Sequence, residues 1–232
     1  MIFIGDGSYL RSAINEAISK GYSVDHVFAS NSEHEKYLSQ KGIPFKVADI
    51  NNTEIINIIS NVCKDLIVYS INNGQILKQE ILSLEGFRFY NIHNGIIPEY
   101  RGRPEVCIIY ALLNGEKEYG VSLHEIDSGI DTGRCIDIKK FEITPMDTFQ
   151  SVMLKSIEQC NMLFSNSLDS IVSGKYSFYS GNNNEGSRLY TSKDLERLGE
   201  FKNNPDFKRA THFGVFSLWY KKAYNFIKTE IY

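Results

Sequence analysis

Asn91 and His93 stand two residues apart at the end of an apolar run, and the loop Asn-Gly-Ile-Ile-Pro-Glu-Tyr-Arg-Gly (94–102) follows them. On a strand that spacing turns both side chains to one face. An amide beside an imidazole suits acyl chemistry, because one polarises a carbonyl while the other moves a proton. A strand-end histidine also serves as a plain hydrogen-bonded group; the Gly/Pro/Arg loop behind this one, which gives ligand access and a cation, favours the chemical reading. Further on, His-Glu-Ile-Asp-Ser-Gly-Ile-Asp-Thr-Gly (124–133) crowds acids and glycines into a tight loop that could present Asp131. A carboxylate beside His93 would favour its protonated form and orient it. Taken alone, the loop is equally an ordinary Asp/Gly turn. His93, His124, Asp127 and Asp131 could also be read as metal donors, but neither HExxH nor EF-hand spacing is present, so no metal is expected. A third candidate is Gly5-Asp6-Gly7-Ser8, where glycines permit a sharp turn and a helix start favours an anion. The third glycine of a dinucleotide fingerprint is replaced by Leu10, and Ala29-Ser30-Asn31 lacks the ribose-binding acid, which leaves a phosphate loop or a structural turn.

Positioning these residues requires an alternating scaffold. Strands are expected at 1–4, 24–29, 45–47, 66–70 and 87–93, and helices at 9–20, 33–41, 53–62 and 78–84, with Asn52 or Thr53 capping the third helix. This βαβα rhythm predicts a mostly parallel sheet with helices on both faces, in which Asn91 and His93 sit at the carboxyl end of a strand, where open α/β sheets bind ligands. The pattern then changes to a helix at 105–113, strands at 120–126 and 134–141, and a long helix at 149–173. Gly181–Gly186 is the best linker. Beyond it come a helix at 192–198 and an aromatic series, Phe213, Phe216, Trp219, Tyr220 and Tyr224, whose spacing suits one helical face, most simply a dimer interface.

The chain has 232 residues and a net charge of -3, which excludes a strongly basic nucleic-acid binder. Residues 186–232 are locally basic, with nine Lys/Arg against five Asp/Glu. Four dispersed cysteines without a CxxC pair indicate neither a zinc ribbon nor a disulfide scaffold, and a reducing cytoplasm fits them best. Neither a signal peptide nor an apolar run of membrane-spanning length is read from the sequence, so no membrane partner is expected.

In order and spacing, Asn91, His93, Pro98-Glu99-Tyr100-Arg101-Gly102 and Asp127-Ser128-Gly129-Ile130-Asp131-Thr132-Gly133 resemble the motifs of the folate-dependent formyltransferase family. Asn73-Gly74-Gln75-Ile76-Leu77 is similar, more loosely, to the family's pterin loop, and the resemblance covers roughly residues 1–180. It implies an α/β, Rossmann-like formyltransferase core with a mostly parallel sheet (1–182) and a short C-terminal extension (183–232) for substrate contact or dimerisation. It also implies N10-formyltetrahydrofolate as co-substrate and Asn91, His93 and Asp131 as the catalytic trio. Gln75, Ile76, Leu77, Asp127, Ser128, Gly129 and Ile130 are the implied folate contacts, and Gly7, Ser8, Tyr100 and Arg101 the acceptor contacts. The family divides by acceptor. The short segment after the core and the negative charge argue against a tRNA-binding barrel, and Arg101 stands where purine-pathway enzymes usually have proline. Tyr190-Thr191-Ser192-Lys193-Asp194-Leu195-Glu196 resembles the segment after the core in enzymes that formylate nucleotide-linked amino sugars. The expectation is therefore a cytoplasmic, homodimeric enzyme acting on a dTDP- or GDP-linked amino sugar, as in O-antigen or lipopolysaccharide synthesis, with no nucleic-acid partner. Phosphoribosylglycinamide, an amino-acid or carrier-bound amine, and a non-catalytic folate- or nucleotide-binding module are the alternatives.

Overall fold

The structure, a computed structural model, describes residues 1–181 and 186–231. Short apolar runs form strands and amphipathic segments form helices, in the order β1 (Ile2–Gly5), α1 (Gly7–Ser19), β2 (His26–Ala29), α2 (Glu35–Gln40), β3 (Phe45–Val47), α3 (Thr53–Val62), β4 (Ile67–Ile71), α4 (Gln79–Leu82) and β5 (Arg88–His93). There follow β6 (Arg101–Gly102), α5 (Pro104–Leu113), β7 (Glu118–Glu125), β8 (Cys135–Glu142), α6 (Phe149–Ser173), β9 (Leu189–Tyr190), α7 (Ser192–Glu196), α8 (Phe207–Ala210) and α9 (Lys221–Phe226). Seven strands make one sheet in the order β3-β2-β1-β4-β5-β7-β8, and β3, β2, β1, β4 and β5 pair in parallel. This is the expected Rossmann-like, mostly parallel architecture. Strand order reverses between β1 and β4, the place where such sheets open a ligand crevice.

The chain forms two compact units, each drawn from interleaved segments. The first comprises Met1–Ile92, Leu123–Asp137 and Asn161–Tyr179. Ile2, Ile4, Phe28, Ile55, Ile59 and Val68 pack its core, and Asn52 caps α3 by accepting from Glu54 N at 2.9 Å. At the strand-order reversal Gly5 pairs with Ile71, and a Cβ on Gly5 would lie 1.7 Å from the Ile71 carbonyl oxygen, so β1 and β4 approach this closely only with glycine there. The loops behind these strands are bonded to one another. Asn72 Nδ2 donates to Asp6 O (3.0 Å), and the Asp6 carboxylate accepts from Ser30 N (3.1 Å), Ser30 Oγ (2.7 Å) and Asn31 Nδ2 (3.0 Å). α1 starts at Gly7, two residues before the expected Tyr9, because a glycine with φ 76° enters the first turn without steric cost.

The second unit comprises 93–122, 138–160 and 180–232. α5 is apolar all round, and Val106 to Leu113 are buried, as a helix covered on every side must be. Phe149, Val152 and Met153 of α6 join the same core, as do Leu195, Leu198, Phe207, Phe213, Ala223 and Ile227. The expected single aromatic helical face is corrected. Tyr220 (φ -101°, ψ 46°) separates a short 3-10 turn, Gly214–Leu218, from α9. Phe213 is buried and stacks on Phe149 at 4.2 Å, whereas Trp219 is 71% exposed. β6 and β9, a two-residue parallel pair, were not foreseen, since two residues carry no periodicity. The expected domain boundary at 182/183 lies outside the described residues, as does the interior of the expected linker. No disulfide links the four cysteines, and among the described residues no helix is long and apolar enough to cross a membrane.

Asp147 ties the start of α6 to its surroundings. Its carboxylate accepts from Lys155 Nζ (2.8 Å), Ser151 Oγ (2.8 Å), Thr144 N (2.8 Å) and Thr144 Oγ1 (2.9 Å). Burial pushes its pKa up, but these four bonds outweigh burial and bring it down to about 2. A depressed carboxylate stabilises the fold above its unfolded pKa and loses that contribution as pH falls through the folded value. Asp147 should therefore contribute about 2 kcal/mol near neutrality, lost between about pH 4 and pH 2. In denaturant melts, Asp147→Asn should be less stable than wild type at pH 7, and the gap should close across that acid window.

Candidate active site

The carboxyl end of β5 carries Asn91, and within the first unit the structure brings Asn91, His124 and Asp131 together. Asn91 Nδ2 lies 3.1 Å from His124 Nε2 and 3.5 Å from Asp131 Oδ1, and His124 Nε2 is 3.5 Å from that same oxygen. His124 is 2% exposed and its Nδ1 sits 2.7 Å from the Glu125 carbonyl oxygen. A carbonyl only accepts, so Nδ1 carries the proton; in the neutral ring Nε2 then accepts, and the Asn91 amide nitrogen is its donor. That choice orients the whole Asn91 amide. Asp131 reaches the cluster from a left-handed backbone conformation (φ 51°), uncommon for a residue with a Cβ but tolerated by aspartate.

The loop between β7 and β8 is built to hold that conformation. Asp127 Oδ1 accepts from Gly129 N (3.0 Å) and Thr132 Oγ1 (2.5 Å), and Glu125 N donates to Arg134 O (3.0 Å) where the strands meet. A Cβ on Gly133 would lie 1.7 Å from the Glu125 carbonyl oxygen. Asp127, Ser128, Gly129 and Ile130 are exposed. Arg134 is fastened by the Glu125 carboxylate (2.9 Å) and lies over the Phe178 ring at 3.8 Å.

His93 belongs to the second unit, two residues beyond Asn91 along β5. It is buried, and its Nε2 donates to the Tyr100 carbonyl at 2.6 Å. Gly95 makes room for this bond: a Cβ there would meet Tyr100 O at 2.3 Å and His93 Nε2 at 2.5 Å. Tyr100 turns its ring into the core, stacked on Tyr190 at 5.4 Å, with its hydroxyl donating to Glu116 (2.7 Å) and accepting from Asn114 (3.2 Å). Burial holds that hydroxyl well above its ordinary pKa. Arg101 is half-buried, and its amide donates to Arg188 O at 3.1 Å.

The pterin-like loop lies in the first unit. The Gln75 side chain turns inward, donating to Ala48 O (3.0 Å) and accepting from Ile50 N (2.9 Å), while Asn51 accepts from Lys78 N (2.8 Å) and donates to Ile76 O (3.0 Å). Leu77 is buried, and Ile76, 61% exposed, stands over a depression of about 750 Å³ lined also by Val47, Asp49, Gly74 and Lys78. Gly7 and the exposed Ser8 open α1. From residue type and spacing alone, His124 reads only as a metal donor. The signal that it belonged with Asn91 was the pair Ser122 and His124, polar at alternate positions between the apolar residues Val121 and Leu123 of β7.

Residues 1–168 match the family described as Formyl transferase. The methionyl-tRNA formyltransferase of Kosmotoga olearia is 27% identical over 175 residues, which is 70% of this chain and 54% of the relative. The chain spans about half the length of the curated relatives it matches. Among solved structures, a 4-N formyltransferase from Francisella tularensis has a TM-score of 0.74 at 18% identity, covering 90% of this chain and 86% of that one. The N-formyltransferase from Helicobacter canadensis, in complex with folinic acid and dTDP-3-aminofucose, has a TM-score of 0.68 at 24% identity, covering 83% and 71%. At these identities the structural likeness concerns the fold.

Because Gly95 leaves room for only a hydrogen, Gly95→Ala should push His93 off the Tyr100 carbonyl. A stability loss of about 1–3 kcal/mol is expected from the added methyl. The downfield Nε2–H proton resonance of His93 should disappear with it, and its persistence would show that the loop yields instead.

Proposed function

Since the chain belongs to the formyl transferase family, we propose that it moves a formyl group from N10-formyltetrahydrofolate to a primary amine, the acceptor being the amino group of a nucleotide-linked amino sugar. The observation that carries the transfer reading is the Asn91 amide held between His124 and Asp131 at 3.1 and 3.5 Å, a hydrogen-bond donor aimed by its neighbours. Folate, as co-substrate, supplies the activated formyl carbon. Asn91 then donates to the formyl oxygen as negative charge develops there, using the amide proton only weakly engaged by Asp131. The amine nitrogen bonds to the formyl carbon, the bond to the folate nitrogen breaks, and His93 carries the amine's proton to that nitrogen.

For the folate, the exposed loop 127–130, the exposed apolar Ile76 and Ile130, and the depression of about 750 Å³ beside Gly74 and Gln75 support a small-molecule site. Gln75 acts there through the loop it pins. Gly7 and Ser8, at the start of the 13-residue α1, are the proposed contacts for the acceptor's phosphates in the first unit; Arg101 is a separate proposed acceptor contact in the second. The sugar acceptor extends to this chain the ligand of the Helicobacter canadensis enzyme. A charged tRNA is the second reading, favoured by the methionyl-tRNA formyltransferases among its relatives.

The test is incubation with N10-formyltetrahydrofolate and, separately, dTDP- and GDP-linked amino sugars, glycinamide ribonucleotide and methionyl-tRNA, following tetrahydrofolate release and the formylated product by mass spectrometry. Formylation of a nucleotide sugar is expected. Turnover with only the ribonucleotide or only the tRNA overturns the acceptor, and folate binding without turnover on any amine overturns the transfer reading. Asn91→Ala should lower kcat by about 10² to 10³, the usual cost of a lost oxyanion donor.

A further inference from the structure

We propose that His124 is a positioning residue of the transfer reaction: as the Nδ1-protonated neutral imidazole it fixes which way the Asn91 amide faces. The inference rests on the formyl-transfer reading for its kinetic consequence, but its geometry stands apart from it. An asparagine amide is nearly symmetric in shape, and a rotation of 180° about its last bond exchanges an acceptor for two donors at little steric cost. Packing alone therefore leaves the active amide free to present the wrong atom to a developing oxyanion. His124 removes that freedom through a chain of two bonds. The Glu125 carbonyl, 2.7 Å away, holds the proton on Nδ1, and the bare Nε2 then accepts only a donor, which selects the Nδ2 face of Asn91 at 3.1 Å. Asp131 Oδ1, 3.5 Å from both Asn91 Nδ2 and His124 Nε2, reinforces the choice, because a carboxylate likewise rejects the amide oxygen.

The ring itself has little room to turn. It is 2% exposed on β7, between Leu123, which is fully buried, and Glu125, whose carboxylate is held by Arg134 (2.9 Å) and Tyr176 (3.2 Å). Thus the strand that carries His124 also carries the carbonyl that sets its tautomer, and the only freely rotatable group in the chain of bonds is the amide whose direction matters.

Two measurements test this. In the unliganded protein, the ring 15N shifts of His124 should show a protonated Nδ1 and a bare Nε2, and the opposite tautomer overturns the inference whatever the enzyme's activity. In formyl transfer, His124→Ala should lower kcat by roughly 10²-fold, as expected of a misplaced catalytic group, with KM for both substrates within about twofold. His124→Gln, whose side-chain oxygen can accept from Asn91, should recover most of the loss. In an Asn91→Ala background, His124→Ala should have no further effect. A multiplicative double mutant, or unchanged kcat in a folded His124→Ala protein, overturns the role. A wild-type protein that transfers no formyl group counts against the proposed function instead, and the tautomer measurement then decides this inference by itself.

Discussion

The carbonyl of Glu125 can only accept, so its 2.7 Å contact with His124 Nδ1 places a proton there and leaves Nε2 as an acceptor. From that one constraint follows the direction of the Asn91 amide, and from the amide follows where negative charge can be stabilised. The β7–β8 loop exists to keep this arrangement in place. Its Asp127 side chain closes the turn, Gly133 lets the backbone pass the Glu125 carbonyl, and the strained Asp131 is delivered to the same amide. Unfavourable backbone conformations of this kind survive where the surrounding bonds over-determine them, and they concentrate at functional sites.

The parallel sheet positions all of this cheaply. β5 is flanked by β4 and β7, and the pairing with β7 sets Asn91 beside His124. At the strand-order reversal, Gly5 against Ile71 brings β1 and β4 into close contact, and Asp6, Asn72, Ser30 and Asn31 tie the emerging loops together. Gln75 does the same for the next loop, spending its side chain on the backbone at 48–50. Asp6, Ser30, Asn31, Asn72 and Gln75 thus hold loops at this edge of the first unit.

The scaffold was largely legible in the sequence. α6 begins and ends at the expected Phe149 and Ser173, and α3 likewise matches its expected bounds, because long periodic segments and clear caps depend on local residues alone. Asn91 and Asp131 could be singled out because residue type and spacing announce them. What the sequence could not display depends on pairings between distant segments. The tautomer of His124 is set by a neighbouring carbonyl but acquires meaning only once β5 and β7 are adjacent. The inward turn of Gln75 needs the backbone at Ala48, and the burial of Tyr100 needs Tyr190. The aromatic series near the C-terminus has the spacing of one helical face, but Tyr220 breaks the helix, a feature of backbone conformation that residue spacing does not record.

Whether an aimed Asn91 amide serves formyl transfer is decided with N10-[13C]formyltetrahydrofolate and an excess of nucleotide-linked amino sugar, followed by 13C NMR. The label should move to a formamide carbon on the sugar with wild-type protein, and the transfer should slow about 10²-fold or more in Asn91→Ala. Label that stays on the folate or appears only as free formate, or transfer that is undiminished in Asn91→Ala, would contradict that role.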